Sequence, residues 1–436
     1  MASENKTSEI LESLMFARIF RSFRMAIQPS KLIIAFGMIA AIGLAGWIMD
    51  LPGTVVETPN TKGAETELNL YMTAPERVES YIERYANAGE RTGVFATLWC
   101  FGRDKFHGVL RNLFAMNLPG AMDSIAEYLR AVKWAVRYHP VYCVIFGVIK
   151  LCIVSIGGGA ICRIAALQFA RDEKPGVTET LRYSLKKFWS FFTTPLVPAG
   201  IAIVAGAFIF LLGVLGNIPL GLGELIVGLF VWVGLLAGAI VAAVVIGTAA
   251  GFNLMFPAIA YDGSDSLDAV SRSFNYVYAK PWRMGFYTIT AFVYGAICYI
   301  FVRFFAYLLL WATYTGLRIG AGLNSAKGLS DKIMAIWQEP SFGQLLVYST
   351  DTGSISERGA ALLVYLSVLI IVGLVVSFII SFYFSSNTVI YALMRNKVDG
   401  TALEEVYTEP EQTRAKSNGP EDQVSQSCEN NDDIVA

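Results

Sequence analysis

The chain is short of charge. Only 16% of its 436 residues are Asp, Glu, Lys or Arg, where a soluble chain carries about 25%. Its formal net charge of −1 argues against a nucleic-acid footprint, which needs clustered basic surface, so no nucleic-acid partner is expected. Histidine is scarce too: His107 and His139 show neither an HExxH pattern nor metal-ligand spacing. The six cysteines (Cys100, Cys143, Cys152, Cys162, Cys298 and Cys428) form no CxxC pair. Four of them sit in apolar runs, where a thiol packs as a small hydrophobe, so neither a metal site nor a disulfide framework is expected. No GxSxG elbow accompanies a hydrolase pattern. The glycines at 157–159 lack a following GK[ST] and lie in an apolar run, which argues against a phosphate-binding loop. No cofactor is implied, and the chain is not read as an enzyme.

What is plentiful is apolar sequence: 55% hydrophobic residues and a mean hydropathy of +0.51. Six stretches approach the length needed to cross about 30 Å of hydrocarbon. They cover residues 32–49, 141–170, 195–215, 225–260, 284–311 and 361–393. The predicted fold is therefore all-α, a polytopic transmembrane helical bundle of about six spans.

Around these spans the chain divides further. Residues 1–31 carry apolar residues at helical spacing beside Arg18, Arg21 and Arg24, the composition of a helix lying in a membrane interface; a solvated helix is the alternative. Residues 32–49 form a signal-anchor span, since no small-x-small cleavage site follows. Residues 50–139 are predicted as an extracytoplasmic helical loop region of interfacial or membrane-capping amphipathic helices, with too little periodic apolar sequence for a separate core. Residues 140–395 hold the main bundle. The 314–359 connection is polar and glycine-rich, with a weak helix around 330–337. Residues 396–436 form an acidic tail, mostly disordered after about Thr408.

Basic residues set the expected orientation. Arg171, Lys174, Arg182, Lys186 and Lys187 fill one short connection, whereas residues 216–223 hold no base. By the positive-inside rule both termini are cytoplasmic, in a multi-pass protein of the cell inner membrane.

A possible internal repeat lies within the bundle. GGAICRIAALQFARDEKPGVTETLRYSLKKF from Gly158 and GTAAGFNLMFPAIAYDGSDSLDAVSRSFNYV from Gly247 share one grammar at an offset of 89 residues: an apolar helix end, a polar corner, then an amphipathic helix. Gly158 matches Gly247, Glu179 matches Asp268, Ser184 matches Ser273, and Gly206 matches Gly295. The alternative is that any membrane exit produces such a match by composition. Taken as a duplication, it makes units 141–215 and 225–311 a parallel repeat. A partial third copy closes the bundle, with Asn387 matching Asn253. Two GxxxG spacings, Gly234/Gly238 and Gly247/Gly251, predict that the fourth span is a central packed helix.

Charges inside spans are costly and point by default to a site with a partner. Lys150, Arg303 and Glu224 are such residues. They are expected to form an intramembrane polar pocket, satisfied internally or by an anionic ligand such as a lipid phosphate; snorkelling or a structural ion pair is the alternative.

The segments SLDAVSRSF (266–274) and GVTETLRYSL (176–185), each after a glycine-rich span, resemble uncharacterised bacterial polytopic membrane families. Among these is the membrane domain attached to some glycerophosphodiester phosphodiesterases. The resemblance covers residues 140–315 and implies glycine-rich spans joined by amphipathic corners. The hydrolase domain of that enzyme has no counterpart here, so no phosphodiesterase activity is implied. The opening AIQPSKLIIAFGMIAAIGLAGW resembles a related family of unknown role. The expected function is that of a non-enzymatic scaffold or lipid-organising bundle. Its expected partners are membrane lipid and proteins docking on the acidic tail or outer region. A small-molecule or lipid transporter is the alternative.

Overall fold

The structure is a computed structural model that describes residues 17–60, 63–85, 90–218, 222–322, 333–334, 336–343, 345–346 and 354–408. Residues 1–16, half of the expected 330–337 helix and the acidic tail after Thr408 lie outside the described residues. A 3-10 turn, Ala17–Phe20, leads into α1 (Arg21–Ala26) and the first span, α2 (Pro29–Asp50). Next come β1 (Val55–Asn60), β2 (Gly63–Thr66), α3 (Glu67–Thr73), α4 (Val78–Tyr85) and β3 (Glu90–Thr92). The hairpin of α5 (Val94–Phe114) and α6 (Leu118–Tyr138) precedes the second span, α7 (Pro140–Arg171). The corner helices α8 (Val177–Lys186) and α9 (Phe188–Thr193) then lead to α10 (Val197–Leu215) and α11 (Leu222–Asp262). Another corner helix, α12 (Ser266–Ala279), is followed by α13 (Pro281–Gly322) and α14 (Ile355–Asp399).

Six of these helices are long and apolar enough to cross a membrane, and the chain is an all-α polytopic bundle as expected. Span entries are marked by proline, whose missing N–H costs nothing at a helix start: Pro29, Pro140 and Pro281 open their helices, and Pro198 sits in the first turn of α10. Exits are marked by left-handed residues. Asp172, Gly263 and Gly400 end α7, α11 and α14 at φ of 57°, 66° and 70°. Asp172 and Gly263 are 91 residues apart in the sequence, whereas Ser184 and Ser273 on the corner helices are 89 apart. The first corner connection is two residues longer. As a result, Gly158 and Gly247 differ in environment: a Cβ at Gly158 would meet the Phe384 ring at 2.6 Å, and one at Gly247 the Phe274 ring at 3.1 Å.

The exits converge at one face of the bundle, the corner face. Asp262, nearly buried, lies 3.1 Å from Arg395 Nε and 3.3 Å from Arg272 Nη1, and its carboxylate accepts from the Tyr391 hydroxyl. Arg163 donates to the carbonyls of Ala260 (2.9 Å) and Tyr407 (2.8 Å). Arg395 donates to the Glu405 carbonyl at 2.7 Å, and the Tyr407 N–H to the Tyr261 carbonyl at 2.9 Å. The strand of chain after Gly400 is thereby strapped across the ends of α7 and α11, with Leu403 and Val406 buried beneath it. Burying these charges is tolerable because each is paired or hydrogen-bonded.

Two parts of the chain differ from expectation. Residues 50–139 are not wholly helical. β1 pairs antiparallel with β2 and β3, and Val55, Leu68, Val94, Ala131, Trp134 and Ala135 make a small core of their own. The core is assembled from residues far apart in sequence, so no single periodic segment announces it. Asp50 staples it to the spans, accepting from the N–H groups of Phe95 (3.1 Å) and Ala96 (2.8 Å) at the start of α5 and from the Tyr142 hydroxyl (2.8 Å). Nor does α5 cap the bundle. It starts at the Asp50 end of α2, where the Phe95 ring covers Gly46, and runs back so that Leu110 joins the apolar cluster of Ala26 and Leu32.

The second difference concerns the fourth span. The most apolar stretch of α11 is only 6% buried, and so is that of α10. A Cβ at Gly238 would meet nothing within 4 Å, and one at Gly234 only a Leu212 methyl at 3.6 Å. The apolar stretches of these two helices form a peripheral hairpin, and the first GxxxG spacing meets only that Leu212 methyl of α10. Lipid is as apolar as leucine, so glycine-rich apolar sequence fits the rim as readily as the centre. Only the second spacing is in close contact, and its partner is the corner helix: Gly247 meets Phe274, and Gly251 meets Val277 and the Ser273 backbone.

Candidate functional site

The helix crossings leave a cleft of about 210 Å³ between α5, α11, α13 and α14. Its middle is apolar. Ala291, Gly295 and Ala296 line one side, and Phe378 and Phe382 the other. A Cβ at Gly295 would lie 2.5 Å from the Phe382 ring, so α13 and α14 approach this closely only with glycine there. Gly206, the residue matched to it in sequence, faces open space.

Polar atoms gather at the end of the cleft nearer the corner face. Tyr383 donates its hydroxyl proton to Asn253 Oδ1 at 2.6 Å, and its carbonyl accepts from Asn387 Nδ2 at 2.9 Å and from the Ser386 hydroxyl at 3.1 Å. The two asparagines matched between the second and third sequence copies thus meet through one tyrosine. Pro257 has no N–H to give the Asn253 carbonyl four residues back, which removes that carbonyl's usual helical donor. The Thr288 hydroxyl oxygen, also in the cleft wall, is buried without a hydrogen-bond partner. Leaving a buried hydroxyl unmet costs about 1–3 kcal/mol.

Beyond the opposite end stands Arg303, about 33 Å along α13 from Pro281 at the helical rise of 1.5 Å per residue. All five of its N–H groups find acceptors. Nε and Nη2 donate to the Phe342 carbonyl (3.1 and 2.8 Å), and Nη2 also to the Gly343 carbonyl (3.0 Å). Nη1 donates to the Tyr299 hydroxyl (2.8 Å) and to His107 Nε2 (2.6 Å). The last bond requires a neutral ring with Nε2 unprotonated. Burial, then the neighbouring charges of Arg303 and Arg103, hold His107 below the usual histidine range, which favours that form. Tyr299 and Phe106, stacked edge-to-face, join this cluster to the cleft wall.

The three residues singled out in the sequence are not gathered. Arg303 is buried beside the cleft, but Lys150 is exposed on α7 and Glu224 is exposed on α11, and neither is a partner of Arg303. Besides Tyr299 on its own helix, Arg303 is satisfied by neutral acceptors supplied by α5 and the 342–343 loop, elements that no local pattern in the sequence ties to the fifth span. The buried lysine is a different one. Lys31 is fully enclosed, donating to Gln168 Oε1 (2.9 Å) and the Ser385 hydroxyl (3.3 Å) where α2, α7 and α14 meet. In the sequence it stands with Arg18, Arg21 and Arg24 among the basic residues that precede the first apolar stretch. The one available signal was Pro29, which starts the helix two residues earlier.

Among the described residues no group of three His, Cys, Asp or Glu side chains converges to hold a metal. The arrangement can hold an elongated apolar group with a hydrogen-bonding end. Compared with known proteins, the chain matches no family model, no curated protein and no solved structure.

Proposed function

We propose that this protein is a non-enzymatic, lipid-organising membrane bundle that seats an acyl chain of a membrane lipid in the cleft between α11, α13 and α14. The observation that carries the reading is the cleft's two-part lining. An apolar middle takes a hydrocarbon chain, and the unmet Thr288 hydroxyl beside Asn253 and Asn387 takes an ester or headgroup oxygen. The alternative, a transporter, calls for a polar path lined from both halves of a repeat. Nothing from α7 or α10 lines the cleft, and its middle is apolar, which favours a lipid seat.

The reading sets the corner face in the cytoplasm of a cell inner membrane, because the basic residues of the α7–α8 connection and the α14 exit lie there. The three left-handed exits are what a duplicated exit unit would leave behind. Protein partners fit the acidic tail and the outer region around the sheet.

The test is lipid retention. Ala291→Trp fills the cleft from α13 and is expected to reduce the lipid co-purifying with folded protein, measured by mass spectrometry after extraction. Equal retention by the variant and the original chain would overturn the reading.

A further inference from the structure

One wall of the cleft is not among the candidate membrane spans. α11, α13 and α14 are such spans, but the fourth side is closed by α5, which reaches it with Phe106 and Leu110. α5 is anchored elsewhere: Asp50 fixes its start, and α6 runs beside it, with Glu127 paired to Lys105 at 2.5 Å. Towards α13 its contacts are lighter. The Phe106 ring lies edge-to-face on Tyr299 at 5.5 Å between centroids, and Leu110 enters the apolar cluster that holds Ala296, Phe378 and Phe382. The polar tie between the two helices is the bond between His107 and Arg303, placed between those two side chains.

Of the two partners, Arg303 is the fixed one. A guanidinium keeps its proton at any pH a folded protein meets. This one is also held by the Phe342 and Gly343 carbonyls, the Tyr299 hydroxyl and the Phe342 ring, 5.3 Å from its centre. Any change therefore falls on the imidazole. Neutral, it accepts the Nη1 proton; doubly protonated, it has no lone pair to accept with and sets a second cation against the first. The ring is half-buried, so water reaches it. Burial, then Arg303 and Arg103, oppose its protonation, and Asp104 favours it. The other neighbouring elements bring no competing charge. Glu127 of α6 is engaged by Lys105, the 342–343 loop offers carbonyls, α1 and α2 meet this end of α5 with Ala26 and Leu32, and residues 366–382 of α14 include no ionisable side chain.

We infer that His107 is an acid-operated latch on the cleft: its protonation frees the α5 wall and releases the lipid held there. Phe106 precedes the latch and Leu110 follows it by three residues, so the same turn of α5 carries the latch and the wall. When the ring leaves Arg303, that turn withdraws. Phe106 loses Tyr299, Leu110 loses Ala296 and Phe378, and the apolar middle of the cleft opens on one side. The inference rests on the reading of the cleft as an acyl-chain seat. Lipid and proton then favour opposite states of one wall. Linkage requires that lipid in the cleft lower the proton affinity of His107 by the factor by which protonation lowers lipid affinity.

The experiment loads the full chain in detergent with a phospholipid bearing deuterated acyl chains at pH 7.5. Bound lipid is counted by mass spectrometry after gel filtration at pH 7.5 or 5.5, above the background of Ala291→Trp. The lower pH is expected to reduce it at least about fivefold, the low end of coupling between two sites, with elution unchanged and lipid regained on return to pH 7.5. His107→Gln, which keeps an acceptor but does not titrate, is expected to hold lipid equally at both values. His107→Arg, charged at both, is expected to hold little at either, and one of these variants decides if the other does not fold. His139→Gln, at the other histidine, is expected to respond as the original chain does. Equal retention at both pH values would overturn the latch and leave the lipid seat standing, whereas no lipid above background at pH 7.5 would overturn both. Release that persists in His107→Gln, or that comes only with unfolding, would also overturn the latch.

Discussion

The Nη1 nitrogen of Arg303 lies 2.6 Å from Nε2 of His107, and this contact ties the fifth span to a helix that precedes the second span in the chain. Two groups that are both basic can be neighbours only while the imidazole is neutral and accepts the bond. Folding therefore favours the unprotonated ring, and the folded-state pKa lies below the unfolded value near 6.5. The stabilisation is fully present above pH 6.5 and is lost as pH falls. Thermal unfolding in detergent is expected to show a midpoint that drops between pH 7.5 and 5. His107→Gln, which keeps an acceptor but does not titrate, is expected to flatten that dependence. An unchanged slope in the variant would assign the titration to another group.

Arg303→Met is expected to destabilise the fold by about 1–3 kcal/mol, the scale for buried acceptors left without donors. The Tyr299 hydroxyl and the carbonyls of Phe342 and Gly343 would lose their partner together. Lys150→Met, on an exposed surface of α7, is expected to change stability by no more than about 0.5 kcal/mol. Denaturant titration of the two variants side by side checks both expectations.

Asp262 holds the strap closed from beneath Arg395, Arg272 and Tyr391. Removing one partner of a buried ion pair costs about 3–5 kcal/mol. Asp262→Asn is expected to fall near that scale and to expose the chain around residues 400–408 to protease. Cleavage no faster than in the original protein would show that the strap is held mainly by Arg163 and by the apolar contacts of Leu403 and Val406.

Glycine roles separate cleanly at two positions. Gly295→Ala puts a methyl 2.5 Å from the Phe382 ring and is expected to cost about 1–3 kcal/mol through overpacking. Gly238→Ala meets nothing within 4 Å and is expected to be neutral or to stabilise by up to about 1 kcal/mol through helix propensity. Unfolding measurements on both variants distinguish a packed glycine from a lipid-facing one.

How much of this was legible in the sequence follows from how each feature is encoded. The spans read directly, because hydropathy is a local property and prolines and left-handed residues punctuate the helices. Depth in the bundle did not: Gly234 and Gly238 carry the same spacing whether they face a helix or lipid. Arg303 stands out in the sequence as a costly charge, but of its partners only Tyr299 is near in sequence; His107 and the carbonyls of Phe342 and Gly343 are remote. Lys31 reads as interfacial in the sequence, because it follows a run of arginines and its partners Gln168 and Ser385 come from α7 and α14. The cleft lies among four helices, and its polar end was visible only as the Asn253–Asn387 match, with nothing to show that Tyr383 joins them.

The central claim is that the cleft holds an acyl chain, and photolabelling tests it most directly. Membranes containing a phospholipid with a diazirine in its acyl chain would be irradiated with the protein in place, and the adducts mapped by peptide mass spectrometry. The account expects adducts within 291–299 on α13 and 378–383 on α14, reduced severalfold by Ala291→Trp. Adducts confined to the exposed faces of α10 and α11, with none in the cleft, would contradict it.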